Sequence, residues 1–138
     1  MQAVILAAGM GKRLGDLTKG NTKCMIQVGN ETLISRLLHQ LDQQSLSKII
    51  LVIGYKAQEL KDYLATLNVK TPLHFVENTV YDQTNNIYSL YLAKEYLSTE
   101  DTLLFESDLI MEDAVIEKLL NHPYPVLALG DKYESWMD

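Results

Sequence analysis

The sequence predicts an α/β fold, a mostly parallel sheet with helices on both faces. Short β-rich apolar runs alternate with longer helical patterns along the chain, and the alternation is regular. No repeat, low-complexity stretch or linker interrupts it. Gln2 to Leu6 is β-rich and ends in Ala7-Ala8-Gly9, which reads as a buried first strand. Leu33, Ile34, Leu37, Leu38 and Leu41 recur at helical spacing, with Glu31 or Thr32 where that helix begins. Lys48 to Ile53 reads as a second buried strand, closed by Gly54. Leu60, Tyr63, Leu64 and Leu67 mark an amphipathic helix, and Pro72 to Val76 a third strand. Asn86 to Leu97 reads as one helix that Asn85 or Asn86 is placed to cap. Thr102 to Phe105 is a fourth strand, Val115, Ile116, Leu119 and Leu120 mark a helix, and Val126 to Leu129 is a fifth strand. Ligands of such sheets bind at the carboxyl ends of the strands. Chemistry is therefore to be sought in the loops after Leu6, Ile53, Val76, Phe105 and Leu129.

Composition narrows the function classes. The 138 residues suit one ordinary domain or part of a larger one. An apolar share of 47% and a charged share of 22% exclude disordered, collagen-like and disulfide-scaffold chains. Twelve Lys and Arg against eighteen Asp and Glu leave a net charge of −6, which speaks against a nucleic-acid partner. The single Cys24 has no partner for an internal disulfide and fits a reducing compartment. The early apolar run Ala3 to Ala8 is far short of the ~20 residues of a membrane span. No basic region precedes that run as in a signal peptide. The expectation is a soluble, cytoplasmic protein with no membrane partner.

Residues 7 to 23 concentrate four glycines with Lys12, Arg13, Lys19 and Lys23, against the single acid Asp16. Glycines let backbone N–H groups approach an anion closely, and the cations add charge-assisted bonds to phosphate oxygens. A phosphorylated ligand is implied. A Walker A loop needs Ser or Thr after Gly-Lys, but Arg13 follows Gly11-Lys12. A dinucleotide fingerprint needs G-x-G-x-x-G, whereas Gly9, Gly11 and Gly15 are one residue too far apart. A dinucleotide-dependent oxidoreductase fails on that spacing.

What remains is Leu6-Ala7-Ala8-Gly9-Met10-Gly11-Lys12-Arg13-Leu14, followed by Thr18 and Lys23. This resembles the signature loop of the nucleotidyltransferases that join an NTP to a sugar phosphate or phosphoalcohol. Thr22 stands where that family usually has proline. Met25 to Gly29 with Thr32-Leu33-Ile34, and Gly54-Tyr55 after the second strand, continue the resemblance. The stretch Tyr81 to Leu90, with Asn85-Asn86 at its centre, resembles the phosphocholine and aminoethylphosphonate cytidylyltransferase branch. The resemblance spans residues 1–138 and implies a Rossmann-like nucleotidyltransferase fold, truncated on the C-terminal side. It implies NTP, and specifically CTP, as ligand, with Leu6, Ala7, Ala8, Gly9, Gly11 and Lys12 as nucleotide-binding residues. Lys23 and Arg13 are the implied catalytic cations, for the α-phosphate and acceptor and for the leaving pyrophosphate. Asp108 in Glu106-Ser107-Asp108 is the implied ligand of Mg²⁺; the bland alternative is that Ser107 or Asp108 caps the next helix. Glu106 is a second metal ligand or only a neighbour.

Of Asn85 and Asn86, one is expected to cap while the other reads the base or ribose. Ser89, one turn on, reads as structural. His39, His74 and His122 share no metal-ligand spacing. Cys24 reads as a small core residue at the start of a buried strand, and Tyr88, Tyr91 and Tyr96 as packing. Tyr133 and Trp136 suit a cage for a quaternary ammonium acceptor. The implied reaction passes an NMP, CMP in this branch, from NTP to a phosphorylated small molecule and releases pyrophosphate. The acceptor is phosphocholine, an aminoalkyl phosphonate or a sugar phosphate. The chain reads as the nucleotide-binding part of a longer domain, with an unpaired sheet edge that favours self-association. The alternative is an NTP-binding regulatory module without turnover, or an inactive fragment of a larger bifunctional enzyme.

Overall fold

The computed structural model describes residues 1–9 and 22–121. The described elements are β1 (Gln2–Ala7), a 3₁₀ turn (Lys23–Met25), β2 (Gln27–Val28), β3 (Glu31–Thr32) and α1 (Leu33–Asp42). After them come β4 (Ile49–Ile53), α2 (Ala57–Leu64), β5 (Leu73–Glu77), α3 (Asn86–Leu92), α4 (Lys94–Leu97), β6 (Thr102–Glu106) and α5 (Asp113–Leu120). Four strands form one parallel sheet in the order β5-β4-β1-β6, and β2 pairs antiparallel with β3 in a small ribbon. Val126 to Leu129, Tyr133, Trp136 and His122 lie outside the described residues.

The period-two alternation of β1 builds two cores, one on each sheet face. Ala3, Ile5 and Ala7 meet Ile34, Leu37, Leu38 and Leu41 of α1, Leu60 and Leu64 of α2 and Ile116 of α5. Val4 and Leu6 face the other way, with Ile50, Val52 and Ala93, and Leu90, Tyr96 and Leu97 pack on them. β1 and β4 are buried along their whole length because helices cover both faces.

The start of α1 is settled in favour of Thr32. Its hydroxyl accepts from the Ser35 N–H at 3.1 Å, and the Ser35 hydroxyl accepts from the Thr32 N–H at 3.1 Å. That capping box leaves Glu31 facing Arg36 and His39 at 3.9 and 3.6 Å.

Three readings need correction. The helix expected over Asn86 to Leu97 is two helices, broken at Ala93 with φ −92° and ψ 8°. Ala93 is seated flat against the sheet, and the turn there returns Tyr96 and Leu97 to the same face. Cys24 is buried, but in the 3₁₀ turn rather than a buried strand; the strand that follows, β2, is exposed. Tyr91 is 55% exposed rather than packed, and its hydroxyl accepts from Lys94 Nζ at 3.0 Å, with that ammonium 4.2 Å from the ring centroid.

A half-buried ion cluster ties the amino-terminal end of the sheet. Glu100 accepts from the Ser47 hydroxyl at 2.6 Å and pairs with the Met1 ammonium and Lys48 Nζ, each at 2.9 Å. The Ser47 hydrogen bond, then the terminal ammonium and Lys48, hold its carboxyl down from 4.5 to about 2. A depressed folded value stabilises the fold above the unfolded value and loses that contribution as pH falls. The stability difference between the protein and Glu100→Gln is expected to shrink as pH drops from 4.5 towards 2, read by urea melts across that range. No helix among the described residues is long and apolar enough to cross a membrane.

Candidate active site

The chain steps from β1 to β4 to β5 in one direction, then places β6 on the opposite side of β1. The loops leaving β1 and β6 therefore diverge, and a crevice opens between them at the carboxyl ends. Leu6 is in register with Glu106, so Ala8-Gly9 and Ser107-Asp108 emerge side by side. Leu6, Gly9, Lys23, Asn86, Glu106, Ser107 and Asp108 line a small cleft of about 110 Å³ that opens to solvent.

Lys23 reaches this cleft because the residues around it are anchored. Thr22 and Cys24 are buried, and the Thr22 hydroxyl lies 2.9 Å from the Cys24 sulfur. The Met25 N–H donates to the Thr22 carbonyl at 3.0 Å, closing the turn. Thr22, where proline was expected, has φ −68°, the angle a proline ring imposes. The departure from the family pattern thus costs no backbone geometry at Lys23. Burial pushes the Cys24 thiol up to about 11, so it stays protonated at neutral pH and serves as packing beneath the lysine.

Lys23 Nζ meets Asp108 Oδ2 at 2.5 Å, with the two side chains 39% and 24% exposed. Two residues far apart in sequence and singled out for opposite charges therefore converge on one point. Asp108 does not cap the next helix, since Glu112 is the N-cap residue of α5 and makes no side-chain cap bond. From α1, Gln40 Nε2 donates to the Met111 carbonyl at 2.7 Å and to Asp113 Oδ1 at 2.9 Å, which fixes the connection leading on from Asp108.

On the other wall, Asn85 caps α3: its Oδ1 accepts from the N–H groups of Ile87 at 3.1 Å and Tyr88 at 3.3 Å. Asn86 is thereby free of capping, and its Nδ2 donates to Glu106 Oε1 at 2.8 Å. Glu106 thus contacts Asn86 across the cleft. Leu6 and Gly9 line the cleft, and Ala7 and Ala8 are buried beside it. Gly11, Lys12 and Arg13 lie outside the described residues.

Sequence reasoning missed Asn78. It is buried, donates to Thr84 Oγ1 at 3.0 Å and Ser89 Oγ at 3.1 Å, and accepts from the Val80 N–H at 3.0 Å. These bonds shape the loop that delivers Asn85 and Asn86, and give Ser89 its structural role. Gly54 belongs to the same assembly, for a Cβ there would sit 2.8 Å from Tyr81 Cβ and 3.0 Å from the Asn78 carbonyl. Gly54→Ala is expected to destabilise the fold by about 1–3 kcal/mol, measured by urea denaturation.

Residues 3–135 match a family described as a MobA-like NTP transferase domain. A CTP:phosphoglutamine cytidylyltransferase of Campylobacter jejuni is 32% identical over 141 residues, covering 99% of this chain and 54% of that protein. A choline-phosphate cytidylyltransferase of Streptococcus pneumoniae is 37% identical over 112 residues, covering 78% of this chain and 47% of that protein. A solved structure of the CTP:phosphocholine cytidylyltransferase of Streptococcus pneumoniae superposes with a TM-score of 0.66, at 37% identity over 78% of this chain and 44% of that one. The inositol-1-phosphate CTP transferase of T. maritima shares the fold at a TM-score of 0.73 and 22% identity, over 86% of this chain and 47% of that one. The chain thus spans about half the length of these relatives.

Proposed function

The chain belongs to the MobA-like NTP transferase domain family, and we propose that it carries the nucleotide site of a cytidylyltransferase that passes CMP from CTP to a small phosphorylated acceptor. The observation that supports this most is the convergence of Lys23 and Asp108 in one cleft at the β1–β6 crevice. The relatives named as cytidylyltransferases support the choice of base. Their printed acceptors are phosphoglutamine and choline phosphate, so the class proposed is a phosphate or phosphonate on a small polar molecule.

In the reaction, an anionic acceptor oxygen attacks the α-phosphorus of CTP. The new P–O bond forms as the bond to the β-phosphate oxygen breaks, and pyrophosphate leaves with that electron pair. The attacking oxygen is already ionised, so no side chain has to remove a proton. Catalysis is then alignment and charge neutralisation. Lys23 neutralises the α-phosphate and the incoming oxygen, and Arg13 the leaving pyrophosphate. Nucleotide binding is assigned to Leu6, Ala7, Ala8, Gly9, Gly11 and Lys12, of which Leu6 and Gly9 line the cleft.

Asp108 is a hard oxygen donor that suits Mg²⁺. Among the described residues no group of three or more His, Cys, Asp or Glu side chains is placed to hold a metal. Asp108, which lines the cleft, is the residue that would hold such an ion. When bound, the ion would offset charge on the triphosphate.

The test is a thermal-shift series with CTP, UTP, ATP and GTP, each with and without Mg²⁺. A ligand at a hundred times its Kd adds about 2.7 kcal/mol, readily seen in a domain of this size. A Mg²⁺-dependent shift with CTP supports the reading, and production of pyrophosphate with phosphocholine or an aminoalkyl phosphonate would distinguish transfer from binding alone. No shift with any NTP would count against it.

A further inference from the structure

We propose that Glu106 is a positioning residue that sets base selectivity, by holding the Asn86 carboxamide with its carbonyl oxygen available to the nucleotide. The proposal deepens the cytidylyltransferase reading above and rests on it. It starts from one hydrogen bond, Asn86 Nδ2 to Glu106 Oε1 at 2.8 Å, between two residues that both line the cleft.

An ionised carboxylate only accepts hydrogen bonds. Glu106 therefore selects one of the two orientations of the Asn86 amide, the one with its NH₂ turned towards the acid. Asn86 Oδ1 is then left as an acceptor, and it has no hydrogen-bond partner among the described residues. Capping does not compete for this side chain, because Asn85 alone bonds the first N–H groups of α3. Glu106 lies on the same strand end as Asp108, two residues before it, yet its partner is Asn86 on α3 while that of Asp108 is Lys23. The two acids thus serve opposite sides of the cleft.

Cytosine and uracil have nearly the same shape and differ at N3, where cytosine accepts and uracil donates, and at C4, the position that concerns the proposal. Cytosine carries an amino donor there, and uracil a carbonyl acceptor. A fixed acceptor at Asn86 Oδ1 facing the C4 substituent pairs with the first and repels the second. Were the amide free to turn over, its NH₂ would serve uracil equally well. Glutamine at 106 keeps the size of the glutamate but both donates and accepts, so it satisfies either orientation of Asn86.

The experiment is calorimetric titration of CTP and UTP, with Mg²⁺, into the protein, Glu106→Gln and Asn86→Ala. The protein is expected to favour CTP. Glu106→Gln is expected to bring the CTP-to-UTP preference down by about 10-fold, mainly by tightening UTP, the scale of one or two hydrogen bonds. Its Mg²⁺ requirement should be unchanged, and Asn86→Ala should erase the preference as well. Both residues are exposed, and melting temperatures verify that each variant folds. An unchanged preference in Glu106→Gln overturns the proposal. So does equal weakening of CTP and UTP with a raised Mg²⁺ requirement, which would make Glu106 a metal ligand. If the unaltered protein binds both nucleotides equally, base selection at Asn86 falls while the transfer reading stands. If it binds neither, that reading falls first and this proposal with it.

Discussion

Lys23→Ala is expected to slow nucleotidyl transfer by about 10²–10³-fold while leaving the fold nearly as stable as before. The two halves of that statement come from different magnitudes. The ion pair with Asp108 is partly exposed, and pairs of that kind contribute only about 0–1 kcal/mol to folding. A cation aimed at charge that develops during reaction is worth about 2.7–4 kcal/mol in the barrier. Single-turnover rates beside a urea melt would separate them. A large loss of stability with unchanged turnover would make Lys23 a structural residue and remove it from the mechanism.

Leu38→Ala is expected to cost about 2–5 kcal/mol of folding free energy, a large part of the roughly 5–15 kcal/mol of an ordinary domain. Leu38 is fully buried on α1, in the core shared with β1, α2 and α5, where rigid sheet and helix leave little room for collapse around a cavity. Val28, 37% exposed on β2, is the contrast, and its replacement by alanine should fall within about 0.5 kcal/mol. The midpoint of urea unfolding reads both. Similar values for the two would mean that the buried face of α1 is not the main source of stability.

The elements that carry strong local patterns were legible from the residues alone. The unbroken apolar runs of β1 and β4 and the leucine stripe of α1 each encode burial, and the structure follows them. The break at Ala93 was not legible, because alanine is the best helix former and only the sheet beneath it requires the turn. Asn78 and Gln2 escaped notice for a related reason. Both are polar residues whose partners lie elsewhere: Gln2 Nε2 donates to the Tyr96 carbonyl at 2.6 Å and to Thr102 Oγ1 at 2.8 Å. At the site, spacing could nominate Lys23 and Asp108 as separate charges. Their meeting depends on β1 and β6 being neighbours, which is a property of strand order rather than of any local window. The choice between Asn85 and Asn86 as cap likewise needed backbone geometry, since both residue types serve.

The central place of β1 has a consequence for how the chain comes together. Ala3 finds Ile49 on one side and Leu103 on the other, and the Gln2 side chain bonds Thr102, 100 residues away. As the polypeptide leaves the ribosome, β1, β4 and β5 can join while one flank of β1 still waits for β6. The β1–β6 seam joins the residues furthest apart in sequence within the sheet, and closing that loop carries the largest entropic cost. The crevice that gathers Lys23, Asn86 and Asp108 exists only once the seam has formed. The cleft is thus completed last, and a nascent chain has no such cleft to offer a ligand until β6 has docked on β1.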